Sequence, residues 1–157
     1  MSTPPKDAQE KDNMSPAQQV LEQVKIIFSL LLQQNNMQAY QNLASLWVPN
    51  QDDFERVCTQ GAQEAYQRYL QSFPTVPVPL PKQGQVHAII EAAAPADFHK
   101  TTIFPNGLQG IKEQIHPDTI WVCWKFVRPN EHMGMSYNGL VSFDGTLKFF
   151  PKAWRYW

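Results

Sequence analysis

The sequence predicts an α+β fold, with N-terminal helices packed on a curved, mostly antiparallel sheet. Three observations carry this. Apolar residues recur at helical spacing from Val20 to Tyr69. From Asp118 to Trp157 the chain turns into closely spaced, strand-length runs rich in aromatics. Between the two regions, Phe73 to Pro81 carries a proline at nearly every second position. Helices first and strands afterwards segregate into layers. The length of 157 residues suits one domain with a sizeable core.

Residues 1–14 are polar and lack apolar periodicity, so they are expected to be a disordered tail in front of a single domain over 15–157. Ser15 then reads as an N-cap, with Pro16 at the first helical position and Gln18 three residues after the cap. Val20, Leu21, Val24, Ile27, Phe28 and Leu31 form one helical face, and Asn35-Asn36 ends the helix. A second helix carries Met37, Tyr40, Leu43, Ala44 and Trp47, and Pro49 stops it. Asn50 with Asp53 marks a fresh N-terminus. The helix it starts is expected to run through Phe54, Val57, Cys58, Ala65 and Tyr69, with Gly61 and Ala65 as a notch for a close neighbour. The proline stretch must be extended, and it reads as a stiff connector.

In the second half, Gln85–Ala94 and Phe98–Phe104 are predicted strands, and Gly107–Ile115 a short helix. His116-Pro117-Asp118 reads as a turn. The strand from Asp118 to Arg128 is apolar on both faces, which predicts a central position. A glycine-bounded loop, Gly134 to Gly139, leads to a hairpin of Gly139–Phe143 and Thr146–Phe150 around Asp144-Gly145. The terminal aromatics Trp154, Tyr156 and Trp157 are expected to be tied into the fold through a final strand.

Composition limits function. Lys+Arg of 13 against Asp+Glu of 14 leaves a net charge of -1, which speaks against a broad nucleic-acid surface. The terminal cations Lys148, Lys152 and Arg155, interleaved with aromatics, are a local exception to weigh. The two cysteines, Cys58 and Cys123, sit among apolar residues and read as buried free thiols. No apolar run is long enough to cross a membrane. The expected compartment is the cytoplasm, the other reading being an exported protein whose signal has been removed. No catalytic residue, metal ligand set or cofactor motif is assigned. His87, His99, His116 and His132 lack metal-ligand spacing, although Asp97, His99, Glu91 and His87 could share a pocket.

The element order from Ser15 to Trp157, and the closing stretch from Gly139 to Trp154, resemble the nuclear-transport-factor-2-like superfamily of cystatin-like cone folds. The connector and the late first strand depart from its pattern. The resemblance implies a helix-backed curved sheet. Its enzymes use a His–Asp dyad or a lone acid deep in the cone, and many members are non-catalytic binders or dimers. The expected function is therefore a non-catalytic binding module. Its site would be a concave face lined by Trp121, Trp124, Phe126, Tyr137 and Phe143, or the terminal edge of Trp154, Tyr156 and Trp157. It would hold a protein partner, a second copy or an apolar small molecule. The alternatives are a cone-fold lyase or isomerase and a nucleic-acid-binding module.

Overall fold

The computed structural model describes residues 14–34, 37–73 and 79–157. The expected tail up to residue 13, the helix end at Asn35-Asn36 and the 74–78 part of the connector lie outside the described residues. Helix α1 spans Pro16–Gln34 and α2 spans Met37–Trp47. Ser15 caps α1, its Oγ accepting from the Gln18 amide at 3.2 Å. Helix α3, Gln51–Val57, opens on a reciprocal box. The Asp53 amide donates to Asn50 Oδ1 at 2.9 Å, and the Asn50 amide donates to Asp53 Oδ2 at 2.8 Å.

The helix expected to continue to Tyr69 is two helices. Cys58 is extended and bridges to Ile115, and Gly61 has φ +68 at the start of α4, Ala62–Ser72. Gly61 acts by its left-handed backbone and not as a packing notch, since a Cβ there would meet nothing closer than Glu64 Oε2 at 4.0 Å.

Strands β1 (His87–Ala93), β2 (Ile120–Val127), β3 (Ser136–Phe143) and β4 (Thr146–Phe149) form one antiparallel sheet in that order. Strand β3 therefore begins at Ser136, inside the expected loop. Asp144 and Gly145 both have positive φ, +51 and +74, as a tight hairpin of this hand requires. The strand expected over Phe98–Phe104 is not formed. Pro95–Lys100 is a 3-10 helix opened by Pro95, and the Glu91 carboxylate takes the amides of Thr102 and Ile103 that a strand would have paired. Helix α5 covers Asn106–Ile111 and passes into a 3-10 turn at Lys112–Gln114.

The helices lie on both faces of the sheet. Val20, Val24, Phe28 and Leu31 of α1 and Tyr40 and Trp47 of α2 pack on Ile120, Val122, Trp124 and Phe126. On the other face, α3, α4, α5 and the chain end enclose Trp121, Cys123, Val141 and Phe143. A bulge at the Val122/Cys123 register curves the middle of the sheet, with Gly139 (φ +96) as the extra residue.

Candidate functional site

The eight aromatics singled out from sequence belong to the two cores. Alternation along β2 puts Trp121 on one face and Trp124 and Phe126 on the other. Phe143 joins Trp121, and Tyr137 joins Trp124. The five therefore line no common concave surface. The Trp121 indole donates to Thr119 Oγ1 at 3.0 Å, whereas the buried Trp124 Nε1 has no partner among the described residues. Phe28 of α1 closes over Trp124 with ring centres 5.2 Å apart.

The chain end does not extend the sheet as a strand. After Phe149 it turns at Lys152 (φ +49) into a 3-10 helix at Ala153–Arg155. Tyr156 is 0% exposed, and its hydroxyl donates to the Pro151 carbonyl at 2.9 Å. Trp157 stacks on Phe150 and points its indole at Cys58 Sγ. The half-buried Trp154 lies against Gly107, where a Cβ would overlap its ring. These side chains close the second core of the monomer.

The histidines and acids weighed from sequence are spread over separate contacts. His87, His99 and His132 are exposed. Asp97 pairs with Lys100 at 3.3 Å. Both oxygens of Glu91 are held by Thr102 and Ile103, the shortest bond being 2.6 Å from the Ile103 amide. His116 and Asp118 form the expected turn, with Thr119 Oγ1 donating to the His116 carbonyl at 2.7 Å. Both cysteines are free and buried. Burial pushes the Cys58 thiol up to about 12 and raises that of Cys123 further, so neither is a thiolate at neutral pH. Among the described residues, no group of three or more His, Cys, Asp or Glu is placed to hold a metal ion. Among them, too, no helix is long and apolar enough to cross a membrane.

The sheet edges differ. Strand β4 has four residues, and its Lys148 Nζ donates to the Leu46 and Val48 carbonyls, which fastens it under the end of α2. Strand β1 has seven residues and, among the described residues, pairs only with β2. Helix α1 runs antiparallel above β1, leaving a seam along its free edge. In the middle of the seam is a groove of about 600 Å³ between Lys25, Phe28, Ser29 and Leu32 of α1 and His87, Ala88 and Ile90 of the strand, with Val86 just ahead of it. It continues toward Pro81–Gln85 at one end and toward Ala17, Leu21 and Ala92 at the other. Val86 is 50% exposed, and Ile89 and Ile90 are half-buried. Alternation predicted the strand at Gln85–Ala94. Its edge position had no local signal, since it depends on which strand fails to form beside it.

The fold and the seam define a class: an α+β domain whose sheet ends on a short, lysine-fastened strand at one side and, among the described residues, on an open, helix-walled strand at the other. No family model matches the chain, and no curated protein or solved structure is found similar to it.

Proposed function

We propose that this protein is a non-catalytic binding module that takes up an extended segment of a protein partner by strand addition to β1, in the seam under α1. The carrying observation is the contrast between the edges: β4 is short and fastened, whereas β1 is long and lined by half-buried apolar residues. An open edge of this kind is a ready template for another chain, and proteins ordinarily blunt it with charge, proline or cover. Here the alternate residues Val86, Ala88 and Ile90 face the groove and are apolar. An added strand would gain main-chain hydrogen bonds from β1 and place every second side chain between β1 and α1. The likeness to cone folds, many of which are binders or dimers, agrees with this reading. The terminal aromatic cluster packs within the second core.

Panning a library of random ten-residue peptides against the whole protein tests the proposal. Selected peptides are expected to alternate apolar residues, to shift the backbone amide resonances of residues 87–93, and to lose affinity about tenfold or more on Ser29→Arg, which fills the groove from an exposed helix position. Ligands that shift amides elsewhere, or no ligands to a chain that sediments as a monomer, would overturn it.

A further inference from the structure

We infer that the occupant of this edge is β1 of a second copy, paired antiparallel about a two-fold axis at Ile89. The inference rests on the strand-addition reading above and names its partner. Residues on one side of β1 alternate with those on the other, so a two-fold perpendicular to the sheet sets each residue against a counterpart of the same face. With the axis at Ile89, the pairs from Val86 to Ala92 are compatible. Ile89 meets Ile89. Ala88 meets Ile90, and Val86 meets Ala92, so each branched side chain on the α1 face faces an alanine. His87 meets Glu91, once on either side of the axis.

The neighbouring registers are worse. Moving the axis to Ile90 sets Ile89 against Glu91, and moving it to Ala88 sets Ile89 against His87. A cross-strand pair of polar side chains favours a register, whereas an apolar residue opposed to a polar one does not. Glu91 is also a fixed target. Thr102 and Ile103 already hold its carboxylate, so little side-chain freedom is lost when His87 of the second copy arrives. The pairing makes the two sheets continuous, and it brings the two α1 helices antiparallel on the same face, so that each covers the seam of the other. The only long open edge among the described strands is then abolished.

Sedimentation velocity of the full chain across micromolar to millimolar concentrations tests this, beside Ile89→Lys and His87→Glu. The wild type is expected to dimerise. Ile89→Lys places two ammonium groups at the axis and should be monomeric throughout. His87→Glu changes only an exposed side chain, so its fold is safe, and it should raise the dimer Kd about tenfold by opposing Glu91 at two places. Should Ile89→Lys fail to fold by circular dichroism, His87→Glu decides. A wild type that stays monomeric, or a dimer unchanged by both substitutions, overturns the second copy as occupant. The peptide library separates that failure from the broader one: β1 amides that respond in such a sample keep strand addition, and amides that do not respond remove both.

Discussion

Gly139 controls which side chains share a face of the sheet. It sits in the bulge of β3 with φ +96, and its carbonyl accepts from the Phe150 amide at 2.6 Å. Because of this one extra residue, Tyr137 and Leu140 both reach the α1 face, although three positions separate them. A Cβ at this position would overlap the Phe150 carbonyl oxygen, in a backbone conformation that side-chain-bearing residues rarely adopt. Gly139→Ala should therefore cost about 3 kcal/mol or more in urea unfolding. Gly110 is the control. Nothing lies within 4 Å of a Cβ there, and it is inside α5, so Gly110→Ala should be neutral or stabilising by up to about 1 kcal/mol. Equal losses at the two glycines would refute the bulge.

At the scale of elements, Arg56 joins three of them. From α3 it donates to Asp118 Oδ2 before β2 at 2.8 Å and to Asp144 Oδ2 in the β3–β4 turn at 2.7 Å. The Arg56 hydrogen bond holds the Asp118 carboxyl below its usual range. A depressed carboxylate contributes stability that is present above its unfolded pKa of about 3.9 and is lost as the pH falls through the folded value. Arg56→Gln removes that contribution. Its melting temperature should lie below the wild type by a constant margin from pH 7 to about pH 5, and the margin should close on acidification below about pH 4. The Asp118 side chain is 63% exposed, so solvent screening keeps the effect under about 1 kcal/mol. A margin that widened in acid would contradict the pairing. The residues of this clamp were each visible in the sequence, but they are far apart along it, and nothing local joins them.

For the whole molecule, the chain end closes one of two cores. Tyr156 packs against Phe54, Tyr69 and Phe73, and its backbone carbonyl accepts from Arg68 Nε at 2.9 Å. Burial ranks it above Trp154. Tyr156→Ala should cost about 3–5 kcal/mol, a large share of the stability of a domain, and Trp154→Ala, half-buried over Gly107, should cost less. Guanidinium titrations of the two variants check the order, and a milder Tyr156→Ala would mean that the end is loosely attached.

The sequence by itself determined the features that rest on a few adjacent residues. These are the cap at Ser15, the reciprocal box of Asn50 and Asp53, the positive-φ pair Asp144-Gly145, and the alternation that makes β2 apolar on both faces. Each is a short-range hydrogen bond, turn or period, so its residues announce it. The class of fold followed from their order along the chain. The tertiary structure alone decided that helices cover both faces, that Phe98–Phe104 is no strand, that the last residues fold back as a 3-10 turn, and that β1 ends the sheet among the described residues. The candidate site was legible only as a strand. Beside it the Glu91 carboxylate takes the Thr102 and Ile103 amides, a choice of partners that no local pattern records.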